Sequence, residues 1–367
     1  MKQVLKYLNL PDVMRHDDGS AVTAQTWPKR REEILALLQN ELYGKLPPDP
    51  ISIREVKRED LGLLENGAAR SETITLELTY PDGSFLLPFT LSLPVNCNNP
   101  ACIITIGMRY DPRYLAAPPA EVFEHGFAVA HAWCASITAD GPGYDDGLPA
   151  VLYPDGHKPD DAGKLLIWGR CMSYIRTYLA QRGGFDLANT VMAGCSRFGK
   201  TALAGALFDD RIQHVVSVCS GTAGTAIVRG KVGETVANIS TYAPYWFCEK
   251  YGSYAGREDD LPFDAHFIVA AFAPRNLLVT GALEDYWCDP YWEMLACVAG
   301  SPAHELLGKP GFLYEGPHPV PGYRYPVPGD FFNAGNIAYA MRSGGHGFFA
   351  EDWLRIVEFV ESKKISV

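Results

Sequence analysis

The chain has 367 residues, 47% of them hydrophobic and 20% charged, which is the balance of a globular protein with a large core. A formal net charge of −11 argues against a nucleic-acid or anionic-membrane surface, either of which requires clustered Lys and Arg. No stretch is apolar and long enough to span a bilayer.

The N-terminal M-K-Q-V-L-K-Y-L-N-L-P-D alternates charged and apolar residues and lacks the apolar centre of a secretory signal, so a cytoplasmic protein is expected. Nine cysteines, an odd number scattered without C-x-x-C pairs, read as reduced thiols rather than a disulfide framework or a zinc site. Residues 28–43, P-K-R-R-E-E-I-L-A-L-L-Q-N-E-L-Y, open on proline and carry apolar residues at helical spacing. Residues 71–80 and 85–94 alternate with period two around P-D-G-S and predict an antiparallel hairpin. From residue 101, short apolar runs alternate with helical stretches: C-I-I-T-I-G, F-A-V-A-H-A-W, T-V-M-A-G-C, H-V-V-S-V-C and R-N-L-L-V-T-G. Apolar on both faces and separated by helices, they fit a mostly parallel sheet covered on both sides. Residues 162–181 form the clearest crossover helix, and the acidic stretches 144–149 and 155–161 fit no calcium loop and read as solvated loops near a site mouth. The dense Pro and Gly of 301–330 read as a semi-rigid loop, I-A-Y-A-M-R as helical, and E-D-W-L-R-I-V-E-F-V-E-S-K-K as an amphipathic terminal helix. The prediction is one α/β domain over residues 1–367, with a helix and hairpin extension in 1–100 and the core in 101–367.

Residues 193–200, A-G-C-S-R-F-G-K, stand where a strand (190–193) gives way to a helix-forming stretch (200–208). A nucleophile on a strained strand-to-helix turn needs small neighbours, and Gly194 lies two residues before Ser196 as the elbow of α/β-hydrolases demands. The second glycine, Gly199, falls three residues after the serine rather than two. A helix starting here aims its N-terminal N–H groups at an oxyanion beside Ser196. In such hydrolases the acid and then the histidine follow the serine along the chain. His16, His125, His131 and His157 precede it; His214 opens a strand at the edge of the core; His266 reads as a core histidine; His304 and His318 lie among prolines and glycines. His346, in S-G-G-H-G-F-F on a late loop, is the base this order selects. For the acid, the strand R-N-L-L-V-T-G-A runs into L-E-D-Y-W-C-D-P, offering Glu284, Asp285 and Asp289. Asp289 precedes a proline and suits a turn, and order alone does not separate Glu284 from Asp285. The strand end I-T-I-G-M-R-Y places Met108 to supply a second oxyanion N–H.

G-C-S-R-F-G-K-T-A-L resembles the G-C-S-R-x-G-K segment of the glucuronoyl esterases, carbohydrate esterase family 15. Further similar segments follow in order: S-G-T-A-G-T at 220–225, G-E at 233–234, Y-W-F at 245–247, L-P-F-D-A-H at 261–266, A-P-R at 273–275, E-D-Y-W-C-D-P at 284–290 and G-H-G-F-F-A-E-D-W at 345–353. The start, D-G-S-A-V-T-A-Q-T-W-P-K-R-R-E-E-I and L-Y-G-K-L-P, is similar to the bacterial branch. The resemblance implies an α/β-hydrolase with Ser196 as nucleophile, His346 as base and Arg197 stabilising the oxyanion through its N–H and guanidinium. It also implies Lys200 and Glu234 on the hydroxyls of a uronic acid ring, with Trp287 against the same sugar. Many members carry the acid just before S-G-x-G-G, where this chain has Cys219; bacterial members place an aspartate two residues before the tryptophan, here Asp285. A Ser196–His346–Asp285 triad is therefore expected, without cofactor or metal. The predicted function is a serine carboxylesterase acting on a glucuronate-type ester of a small molecule or oligosaccharide. The alternatives are an acetyl esterase of the xylan type, or a uronate-binding relic whose triad has decayed.

Overall fold

The computed structural model describes residues 2–64, 67–110, 116–314 and 325–365. Three twelve-residue strands, β1 (Ser52–Leu63), β2 (Ala69–Tyr80) and β3 (Gly83–Pro94), make an antiparallel ribbon. Then follow β4 (Ala101–Gly107), β5 (Phe127–Trp133), β6 (Val191–Cys195), β7 (His214–Val218), β8 (Asn276–Ala282), β9 (Phe331–Phe332) and β10 (Ile337–Arg342). All lie in one sheet of order β1-β2-β3-β5-β4-β6-β7-β8-β10-β9, and every pairing from β5 through β10 is parallel.

The predicted hairpin forms with Tyr80 opposite Gly83, which leaves Pro81 and Asp82 as a two-residue turn. The ribbon joins the parallel strands through only Thr90, Leu91 and Ser92 of β3 against β5. β1 was absent from the sequence prediction. Its residues are exposed on nearly every position and its register slips twice, so no period survives for a pattern to find.

The central strands alternate between two cores. Cys102, Ile104, Ile106, Met192, Val215 and Val279 face helices Lys164–Arg182, Arg197–Leu207 and Pro290–Leu306. Ile103, Val129, Val191, Ala193, Val216 and Leu278 face the terminal helix Ala350–Ser362 through Trp353, Ile356 and Phe359. Helices Lys164–Arg182 and Arg197–Leu207 touch backbone to backbone, since a Cβ on Gly169 would sit 2.6 Å from the Gly205 nitrogen. That close approach seats the helix following the serine directly on its neighbour.

Several sequence expectations are corrected. I-A-Y-A-M-R is not helical but is β10, paired in parallel with β8 and wholly buried. The acidic stretch 144–149 enters a short helix, Gly147–Leu152. His304 lies in the Pro290–Leu306 helix rather than a loop, fully buried with Nε2 3.1 Å from the Arg275 carbonyl. His214 is in the core rather than at its edge, with Nε2 3.2 Å from Asn189 Oδ1. His318 and residues 315–324 of the proline-rich segment lie outside the described residues. Among the described residues no helix is long and apolar enough to cross a membrane, and all nine cysteines are free thiols.

Candidate active site

Strand β6 ends at Cys195, and Ser196 turns the chain into the Arg197–Leu207 helix with φ 58° and ψ −127°. A non-glycine residue held there costs about 1–3 kcal/mol, a strain characteristic of functional turns. The Ser196 N–H donates to the Val218 carbonyl at 2.8 Å, which ties the turn to β7. Gly194 is required sterically, because a Cβ would come within 2.2 Å of the Phe198 carbonyl oxygen. The second glycine is displaced by one position for a packing reason. Phe198 fills the place two after the serine and packs on Trp168 at 5.8 Å, while Gly199 faces the Gly194 carbonyl across the turn.

His346 Nδ1–H donates to Asp285 Oδ2 at 2.7 Å, which aims Nε2 away from the carboxylate as an acceptor. The imidazole is 41% exposed and the carboxylate 2%. Burial alone would raise the Asp285 carboxyl. The His346 hydrogen bond and charge, with the Cys288 N–H at 3.2 Å, more than offset it and hold it below the usual carboxylate range. Glu284 is exposed, and Asp289, in a left-handed conformation, caps the Pro290–Leu306 helix through Trp292 N–H. Of the three candidate acids, only Asp285 meets the imidazole.

Arg197 occupies the first position of its helix, so its N–H has no intrahelical acceptor. Its guanidinium is bound by Asp140 and stacks 4.9 Å from the Trp246 ring centroid, while Trp246 Nε1–H donates to the other oxygen of Asp140 at 2.8 Å. Met108 follows β4 beside the elbow strand. His131 Nε2–H donates to its carbonyl at 3.0 Å and Thr105 donates to Nδ1 at 2.8 Å. Burial lowers the His131 pKa to about 4, so the ring is neutral and this tautomer is fixed.

One helical turn beyond Ser196, Lys200 Nζ lies 3.7 Å from Glu234 Oε2, and each side chain is at most 3% exposed. Glu234 Oε1 accepts from Tyr242 and from Trp287 Nε1–H at 3.2 Å, whereas Oε2 has no hydrogen-bond partner among the described residues. Trp287 itself is 47% exposed. Lys200, Glu234 and the indoles of Trp287 and Trp246 therefore form one cluster around the first turn of the helix that follows the serine. Sequence reasoning missed Asp140, which sits in a Gly/Pro-rich loop, and assigned no role to Trp246, which lies within the Y-W-F segment in a short helical turn.

Beneath the site, the wholly buried Glu293 accepts from the N–H groups of Ser220 and Gly221 at 2.8 and 3.0 Å and from the Thr225 hydroxyl at 3.1 Å. Burial pushes its carboxyl up to about 8 despite these donors. A raised acid contributes stability that is complete below the ordinary carboxylate range and is lost as pH rises to about 8, by up to about 1.4 kcal/mol per pH unit. Glu293→Gln removes that titration, so melts at pH 5 and pH 8 are expected to show a smaller fall in Tm for the variant than for the parent.

Among the described residues, ligand atoms of Cys219, Asp285 and His346 lie within 4.8 Å of one another. The group fits a cation poorly. The Arg342 guanidinium stands 3.8 Å from Cys219 Sγ, and burial holds that thiol well above its ordinary pKa.

A family model for fungal glucuronyl esterase matches residues 150–308. The chain is 26% identical to a carbohydrate esterase from an unknown prokaryotic organism, over 98% of this chain and 90% of that protein. It is 28% identical to the 4-O-methyl-glucuronoyl methylesterase 1 of Wolfiporia cocos, over 84% of this chain and 75% of the relative. A glucuronoyl esterase from Solibacter usitatus superposes with a TM-score of 0.84 at 27% identity, covering 97% and 98% of the two chains. A second, from Teredinibacter turnerae, superposes at 0.83 with 27% identity over 97% and 90%. With the α/β-hydrolase fold, these matches make the chain similar over nearly its whole length to glucuronoyl esterases, among them one of carbohydrate esterase family 15.

Proposed function

We propose that this protein hydrolyses alkyl or aryl esters of a 4-O-methyl-glucuronate-type acid through an acyl-enzyme on Ser196. The observation that carries the reading is the 2.7 Å His346–Asp285 pair, in a chain that also presents a strained serine elbow with a buried lysine and carboxylate one turn beyond it. His346 Nε2 takes the hydroxyl proton as Oγ bonds to the ester carbonyl carbon. The oxyanion is met by the N–H of Arg197, the nearby guanidinium and the Met108 N–H. The intermediate collapses as the C–O bond to the alcohol breaks, and the imidazolium returns its proton to the departing oxygen. Water then attacks the acyl carbon as the same imidazole takes its proton, the bond to Ser196 Oγ breaks as the imidazolium protonates that oxygen, and the uronic acid leaves. Lys200 and Glu234 Oε2 suit the ring hydroxyls, and Trp287 suits the C–H face of the sugar, which puts the uronate on the acyl side.

A panel of methyl and benzyl glucuronates against acetylated xylo-oligosaccharides tests this. Alcohol release is expected to exceed acetate release by at least about a hundredfold in kcat/KM; faster release of acetate overturns the substrate assignment. Lys200→Gln removes a charged donor and is expected to raise KM for methyl glucuronate about tenfold with kcat within threefold, the pattern of lost uniform binding.

A further inference from the structure

We infer that Arg342 is a positioning residue that sets the catalytic orientation of His346 by gripping the backbone on both sides of it. Arg342 is the last residue of β10 and is 5% exposed. Nη1 donates to the carbonyls of Ser343 and Gly345 at 3.1 and 2.9 Å, and Nη2 to that of Gly347 at 2.8 Å and towards Cys219 Sγ at 3.8 Å. Nε donates to Asp352 at 3.0 Å, so every N–H of the guanidinium is engaged. The gripped segment, Ser343–Gly347, contains three glycines around a single imidazole and has little rotational restraint of its own.

The grip is anchored at its far end. Asp352 also accepts from the Phe349 N–H at 2.9 Å and from Thr280 at 3.2 Å, joining the terminal helix and β8 to the same guanidinium. The loop carrying the acid is tied in as well. Leu283 N–H donates to the Arg342 carbonyl and Glu284 N–H to that of Gly344, both at 3.0 Å. Arg342 therefore fixes the base loop relative to Asp285, yet no contact described for it reaches Lys200, Glu234 or Trp287. Loosening it is expected to impair activation of the serine while leaving uronate recognition in place. Lysine, with one compact charged head, can hold part of the set of carbonyls and no more.

This inference rests on Ser196 and His346 acting as proposed above, but not on the identity of the ester. The test uses Arg342→Met, Arg342→Lys and Asp352→Asn in the full chain. Three measurements are made: the rate of Ser196 labelling by a fluorophosphonate, kcat and KM for methyl glucuronate, and the low-field proton resonance of the His346 Nδ1–H. Labelling and kcat are expected to fall about a hundredfold in Arg342→Met and about tenfold in Arg342→Lys and Asp352→Asn, with KM within threefold. The low-field resonance should broaden in Arg342→Lys, which retains a buried cation and keeps the fold. Labelling within threefold of the parent in Arg342→Lys, with an unchanged resonance, overturns the role. So does a rise in KM that matches the loss of kcat, because that is general damage to the site. A parent that labels with the probe but hydrolyses no uronate ester overturns the substrate reading alone, and the labelling and resonance arms still decide on Arg342.

Discussion

Ser196→Ala is expected to abolish turnover of methyl glucuronate to within the background of the oxyanion donors, a loss on the order of 10⁶ in kcat. The substitution removes only an oxygen at the head of a helix whose packing does not depend on it, so circular dichroism and Tm should match the parent. The N–H of Arg197 remains in place, and on the order of a thousandfold acceleration over water should persist from it and from substrate binding. Progress curves at high enzyme concentration, run beside fluorophosphonate labelling, check both parts. Turnover within tenfold of the parent would show that another group attacks the carbonyl.

Asp285→Asn carries the second largest effect, on the order of 10⁴ in kcat, by analogy with the orienting aspartate of serine proteases. The native carboxylate accepts from His346 Nδ1–H at 2.7 Å and so leaves Nε2 unprotonated. An amide in that place can present its NH₂ to Nδ1 and move the ring proton to Nε2, the tautomer that cannot accept from the serine. Cys219 offers no remedy, because its Sγ lies within 4.8 Å of the pair but is a neutral thiol held protonated by burial. The variant should still fold and bind uronate, since Asp285 shares no hydrogen bond with Lys200 or Glu234. Steady-state kinetics with a Kd for glucuronate decide it, and near-parental hydrolysis would move the acid to another residue.

The elbow was legible because strand, small residue, serine and helix former follow one another in ten residues, and steric demand at Gly194 leaves a mark in composition. His346 was legible from chain order. Asp285 was not separable from Glu284 by position, because which carboxylate of adjacent residues turns inward depends on the turn between β8 and the next helix; only the family resemblance chose it. Residues 337–342 misled in the other direction. Buried on both faces of the sheet, they carry no alternation, and the Ala and Met among them favour helix, whereas pairing with β8, some sixty residues earlier, decides the outcome. Glu293 holds backbone N–H groups more than seventy residues earlier in the chain, and the carbonyls that Arg342 grips turn towards it only once the loop has curled back and Asp352 has met the guanidinium, so no local pattern announces them.

The sheet ends in two quite different strands. At one end β9 has two residues, too few to template another strand. At the other, β1 is long, but its register slips at Glu55/Lys57 and Asp60/Gly62, and Arg54, Lys57, Arg58, Glu59 and Asp60 crowd its length. Interrupted pairing and dense alternating charge penalise any chain that tries to extend the ladder there. The molecule thereby guards itself against edge-to-edge polymerisation at high concentration, although its outermost twelve-residue strand is turned almost entirely to solvent.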